Sequence, residues 1–209
     1  AFETKAAYTV SEIMEYARLV KEQDPGGLGD NLVPITVNPD NAFTMFIQHN
    51  STYADNFYKD ENGVYQWGGA SPDTLTGLKL MYQAYAEGLL YPDFYALQNE
   101  QDEEMFYISA TAASVYMNGT ATGMQVNMMT RFNGSTGLDS REVVHAVPIL
   151  GEDGNFHQQD LINYWGTIVF SPNIEDAKFE RFMDALDYGC TEEGFLLQVA
   201  GFEGEDYDY

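Results

Sequence analysis

Apolar residues recur along the chain with two periods, one helical and one strand-like, and clusters of Asp, Asn, Gly and Pro separate the segments. Thr9-Val10-Ser11-Glu12 has the form of a capping box, and Ile13, Tyr16, Ala17 and Val20 follow at helical spacing until Asp24-Pro25-Gly26-Gly27 interrupts them. Leu32 to Val37 is a short β-rich run that predicts a strand. It ends at Asn38-Pro39-Asp40-Asn41, a polar turn that predicts the start of a helix carrying Phe43, Met45, Phe46 and Ile47; Asp40 is one candidate for its cap. Between Tyr58 and Trp67, Asp60-Glu61-Asn62-Gly63 has the composition of a tight hairpin turn. Ser71-Pro72-Asp73 then opens a helix closed by Gly88, with Leu75, Leu78, Tyr82 and Tyr85 expected to form its buried face.

The second half alternates in the same way. The acidic stretch Glu100 to Glu104 predicts the first turn of a solvated helix, because carboxylates complement the exposed amides of a helix N-terminus. Ala112 to Met117 reads as a strand, Asn118 to Phe132 as a helix, and Arg141 to Leu150 as holding a strand before the turn Gly151-Glu152-Asp153-Gly154. Thr167 to Phe170 predicts a last strand, followed by helices over Ile174 to Tyr188 and Glu192 to Ala200. Helices and strands alternating in this order imply an α/β architecture with a mixed sheet flanked by helices, here expected as a single unit over residues 1–209.

Charge narrows the partners. Thirty-three acidic against nine basic residues give a formal charge of −24, which repels phosphate backbones and anionic lipid, so no nucleic-acid partner is expected. The single cysteine, Cys190, has no partner for an intramolecular disulfide and is expected to be a small buried hydrophobe. Ala1-Phe2-Glu3-Thr4-Lys5 is not a basic region leading into an apolar segment, so any secretion signal is expected to lie outside these residues or to have been removed.

Motifs for chemistry are weak throughout. His49, His145 and His157 form no i, i+4 pair and no HExxH pattern. Gly26-Gly27-Leu28-Gly29 follows a helix and lacks the third glycine and strand context of a dinucleotide loop. Asp24 to Asn31 and Asp60 to Gly63 each contain part of a calcium-loop pattern without the full ligand spacing. Asn133-Gly134-Ser135-Thr136-Gly137 is not a nucleophile elbow. No cofactor and no metal are expected; a pair of carboxylates suited to glycoside hydrolysis stays open, because their separation is a three-dimensional quantity.

The segment Leu78-Lys79-Leu80-Met81-Tyr82-Gln83-Ala84-Tyr85-Ala86-Glu87-Gly88-Leu89-Leu90-Tyr91-Pro92-Asp93-Phe94, with Asp60-Glu61-Asn62-Gly63 and Ser71-Pro72-Asp73 before it, resembles the extracellular solute-binding proteins of bacterial carbohydrate ABC importers. Further pieces match in order: Tyr8 to Glu12, Lys21 to Pro25, Ser171-Pro172-Asn173, Glu192 to Phe195, and Gly201-Phe202-Glu203-Gly204-Glu205-Asp206-Tyr207. The closing GFEGEDY is similar to the lipoprotein-related group that binds oligosaccharides. Two departures stand out: Ser109 where the family carries glycine, and Gly119-Thr120-Ala121-Thr122 where an aromatic residue is usual.

The resemblance implies a periplasmic-binding-protein type II-like lobe, mostly the second of two, with 164–188 resembling the segment that crosses back toward the first; most of lobe one is expected to be missing here. It implies a transport protein rather than an enzyme, anchored at the bacterial cell surface in its full-length form, with a carbohydrate ligand and the ABC permease as partners. Orphaned contacts would favour self-association of such a fragment. Sugars are held by aromatic faces and planar polar side chains. By resemblance the loop Asn38-Pro39-Asp40-Asn41 lies on the lobe rim and Tyr164-Trp165 just before the crossing strand; Asn38, Asp40, Asn41, Tyr164, Trp165 and Trp67 are the expected ligand contacts. The rival classes are a secreted glycan-active enzyme and a surface adhesion or assembly module.

Overall fold

A computed structural model describes residues 5–98, 100–117, 129–157 and 166–208. The chain is a mixed structure of helices and small sheets and divides into two compact units, Ala1–Leu161 and Ile162–Tyr209.

In the first unit, strand β1 (Tyr8–Thr9) runs directly into helix α1 (Val10–Gln23). The capping box forms as the sequence predicts: the Glu12 amide donates to Thr9 Oγ1, and the Thr9 amide donates to Glu12 Oε2. The Ser11 amide and hydroxyl both donate to the Glu152 carboxylate, which satisfies a further free N–H of the first turn. Asp24, at φ 36°, ends the helix. Its buried stripe is Val10, Met14, Ala17 and Val20, with Ile13 packed half-buried at the edge.

Residues 33–37 are buried as a strand would be, yet they pair through single parallel bridges: Val33 with Ala112, Ile35 with Leu90, and Thr36 with Val115. This segment is the centre of the core, joined by Ala42, Met45, Phe46 and Ile47 from the helical turn α2 (Pro39–Ala42) and the π-helical turn Phe43–Gln48 that continues it. Strands β2 (Phe57–Lys59) and β3 (Tyr65–Trp67) make the predicted antiparallel hairpin, its turn carried by Gly63 at φ 75°.

Helix α3 (Pro72–Ala86) starts at the Ser71 cap, where predicted, but packs through a different face. Leu75, Leu78, Tyr82 and Tyr85 are 50%, 40%, 74% and 46% exposed, which overturns their expected burial. The buried residues are Thr74, Gly77 and Ala84, with Leu80 and Met81 partly covered. Both stripes have the same helical spacing and lie one residue apart, so periodicity alone favoured the larger side chains. The small stripe wins because α3 lies against the backbone of the π-helical turn: a Cβ on Gly77 would overlap the Phe46 carbonyl and the Ile47 Cα. The end of α3 is held by α1, where Arg18 forks onto the Glu87 carboxylate and Lys21 Nζ donates to the carbonyls of Glu87 and Gly88.

Helix α4 (Gln101–Tyr107) follows, then α5 (Arg131–Thr136) and the short α6 (Ser140–Val143). Of the helix expected over Asn118 to Phe132, residues 118–128 lie outside the described residues. In the stretch Arg141 to Leu150, regular strand is confined to β4 (Ile149–Leu150), parallel to β1.

In the second unit, Thr167 to Phe170 forms no strand; among the described residues no strand pairs with it, and Ile168 and Val169 are 58% and 82% exposed. Helices α7 (Asp176–Gly189) and α8 (Glu192–Ala200) appear as expected. Phe170 packs edge-on against Phe179 and Phe182, at ring separations of 5.0 and 5.2 Å. Cys190 is exposed at the end of α7, not buried, because no residue of α7 is buried in this unit.

Gly77→Ala is expected to lower the unfolding free energy by about 1–3 kcal/mol despite alanine's better helix propensity, because the added methyl has no room. Gly134→Ala, in α5 with open space at its Cβ, is expected to raise it by up to about 1 kcal/mol. Urea denaturation of the two variants checks both signs.

Candidate functional site: the Asn38 to Asn41 turn

The turn that opens α2 is built around side chains that the backbone needs. Asn38 is the N-cap: its Oδ1 accepts from the Asn41 amide at 2.8 Å, and its carbonyl accepts from the Ala42 amide. The cap is therefore Asn38 and not Asp40, which sits in the first turn with Pro39 before it.

Beneath this turn lies Asp102, 0% exposed, on α4. One carboxylate oxygen accepts from the Asn38 amide at 2.9 Å and from Asn41 Nδ2 at 2.9 Å; the other accepts from Asn38 Nδ2 at 3.3 Å. The Thr36 hydroxyl donates to the Asp102 carbonyl at 3.1 Å. A buried carboxylate is costly to desolvate, and here three donors from one turn replace water. Asp102 was expected on a solvated helix face with its acidic neighbours; the structure puts it inside. No local signal marks it, since Glu103 and Glu104 stand in the same run and the donors are more than 60 residues away.

Above the turn is an open depression of about 420 Å³ lined by Asn38, Pro39, Asp40, Leu97 and Gln98. Asn38 is committed to the cap and to Asp102. Asp40 is exposed, and among the described residues its carboxylate accepts no hydrogen bond. The Gln98 backbone amide is held by Gln101 Oε1 at 2.8 Å. The depression thus offers one free carboxylate, one side-chain amide and two apolar walls, a set suited to a hydroxyl-rich ligand with apolar C–H patches.

Of the six contacts expected from sequence, Asn38, Asp40 and Asn41 meet in this turn, with Asn38 and Asp40 on the depression wall. Trp67 is not among its lining residues; it sits on the hairpin, 46% exposed, with its ring 5.0 Å from that of Phe57. Tyr164 and Trp165, like Gly119 to Thr122, lie outside the described residues.

A second polar group forms where the Gly151 to Gly154 turn meets the end of the π-helical turn. His49 Nε2 is 3.2 Å from Tyr116 Oη; His157 Nε2 is 2.9 Å from Asp153 Oδ1, and its Nδ1 is 3.5 Å from Thr52 Oγ1. Burial, and then the nearby His157, hold His49 below the usual imidazole pKa; burial also pushes the Tyr116 phenol up. The two partial calcium loops are occupied by their own backbones: Asp24 accepts from the amides of Leu28 and Gly29, and Asp60 from those of Asn62 and Val64. Among the described residues no group of three His, Cys, Asp or Glu is placed to hold a metal ion. The chain matches no known protein family and no curated protein.

Asp102→Ala is expected to cost about 2–4 kcal/mol and to speed hydrogen exchange at Asn41 and Ala42, since it orphans three donors; Asp40→Ala should cost less than about 0.5 kcal/mol. Chemical denaturation with exchange mass spectrometry reads both.

The His49 shift has a definite sign. Its folded pKa lies below the unfolded value, so the folded state resists protonation and the contribution, present at neutral pH, is lost as pH falls below about 6.5. His49→Gln keeps a partner for Tyr116 without titrating. Between pH 7.5 and 5.5 the wild type should lose stability relative to this variant, measured as the difference in urea midpoints.

Proposed function

We propose that this chain belongs to an extracytoplasmic solute-binding component of a bacterial ABC importer, with a type II periplasmic-binding-protein lobe that takes a carbohydrate, an oligosaccharide by resemblance, and delivers it to the permease without chemical change. The observation that carries this reading is the depression over the Asn38 to Asn41 turn. It coincides with the loop that the resemblance assigns to the lobe rim, and it combines the free Asp40 carboxylate and the Gln98 amide with the apolar Pro39 and Leu97.

Such a receptor works by differential contact. A ligand resting on one rim makes few hydrogen bonds; closure of an opposing lobe adds others, and the affinity difference between open and closed forms drives the closure. Asp102 contributes indirectly by keeping the turn rigid, so that Asp40 is presented without further loss of backbone freedom on binding. With each hydrogen bond contributing on the order of 1 kcal/mol and about 1.4 kcal/mol per tenfold in affinity, this chain by itself is expected to bind in the millimolar range.

Chemical-shift mapping with a panel of neutral oligosaccharides tests this. At least one sugar should shift the amides of residues 38–42 and 97–98 with a dissociation constant on the order of 1 mM, and Asp40→Ala should abolish the effect. Absence of any shift in that turn across the panel, or turnover of the sugar, would overturn the proposal.

A further inference from the structure

The β2–β3 hairpin carries an aromatic face that neither the core nor the depression uses. Its register pairs Phe57 with Trp67 and Lys59 with Tyr65, and in an antiparallel ladder paired residues and those two apart share a face. Phe57, Lys59, Tyr65 and Trp67 therefore project together, and Tyr58 projects to the other side, where its ring stacks on Tyr53 at 5.2 Å and 15°. The Phe57 and Trp67 rings lie 5.0 Å apart, and Lys59 Nζ is 5.0 Å from the centre of the Tyr65 ring. All three rings stay open to solvent: Phe57 is 66%, Tyr65 68% and Trp67 46% exposed.

The base of this platform is rigid. Gly68 is buried, its amide donates to the Asn56 carbonyl, and a Cβ on it would overlap the Tyr53 carbonyl; a Cβ on Gly69 would overlap the Trp67 indole nitrogen. The Thr74 hydroxyl at the start of α3 donates to the Gly68 carbonyl at 2.8 Å. The backbone that carries Trp67 is thus anchored by close packing and its indole rests against Gly69, which lowers the ordering cost of binding at that ring.

We propose that this hairpin face is a carbohydrate-binding platform, separate from the depression, that holds a neutral polysaccharide chain by stacking of sugar C–H faces on Trp67, Phe57 and Tyr65. Two features select that occupant. The exposed area of the three rings is on the order of 400 Å², about half of what each partner contributes to a stable protein interface, yet enough for a few sugar rings. The charge of −24 repels polyanionic glycans, and the one charged residue on the face, Lys59, lies over the Tyr65 ring. The platform does not depend on the depression: Asp40 belongs to the depression, and none of the platform residues lines it.

Affinity electrophoresis tests the proposal, with hydroxyethyl cellulose, amylopectin, galactomannan or polygalacturonate cast in native gels. At least one of the three neutral polymers should retard the wild type more than polygalacturonate does. Trp67→Ala and Tyr65→Ala should each weaken that retardation by about tenfold, and Asp40→Ala should leave it unchanged. Tyr65 and Phe57 are exposed and outside the core, so Tyr65→Ala and Phe57→Ala, checked for an unaltered thermal midpoint, keep the test valid if Trp67→Ala disturbs the hairpin. Passage of the wild type unretarded through every neutral polymer, retention that survives both Tyr65→Ala and Phe57→Ala, or preference for polygalacturonate would each overturn the platform. Loss of retardation in Asp40→Ala would overturn its independence from the depression.

Discussion

A carboxylate withdrawn from water needs replacement donors, and the placement of Asp102 makes this requirement govern the geometry around it. The three hydrogen bonds that its carboxylate accepts all come from Asn38 and Asn41, so the turn between the buried segment at residues 33–37 and the π-helical turn cannot move without orphaning that carboxylate. Asn38 also caps α2 by accepting from the Asn41 amide, which couples local helix formation to a partner on α4. Because their amides serve this network, the exposed polar group left on the depression wall at the turn is Asp40. Scaffold and presentation are divided between neighbouring residues of one loop.

Close backbone approach supplies the second constraint. Gly77 lets α3 press on Phe46 and Ile47, and Gly68 and Gly69 let the hairpin base settle against residues 53–56 and under Trp67. Where backbone meets backbone, small residues occupy the contact and larger ones are displaced outward. That accounts for both the outward stripe of Leu75, Leu78, Tyr82 and Tyr85 and the exposed aromatic face of the hairpin. The second unit shows the opposite situation: α7 has amphipathic spacing but no buried residue, and among the described residues its aromatic contacts are those of Phe170 with Phe179 and Phe182.

Local features were legible in the sequence because their causes are local. The Thr9–Glu12 capping box, the Asn38 turn, the Gly63 hairpin, the Ser71 start of α3, and α7 and α8 each rest on interactions within a few residues, and chain order alone specifies them. The polar loop at 38–41 was recognisable as a helix start, since Asn, Pro and Asp there are visible in one dimension. Which face of α3 is buried, whether Thr167 to Phe170 finds a ladder, and the burial of Asp102 depend on what lies across the fold. Glu103 and Glu104 are chemically almost equivalent to Asp102; only the arrival of Asn38 and Asn41 from more than 60 residues away distinguishes it. The sequence by itself determined where α1, α2, α3 and the hairpin turn begin, because hydrogen bonding and backbone freedom there are short-range. Tertiary structure alone decided which side chains are inside, because desolvation is resolved only when distant segments meet.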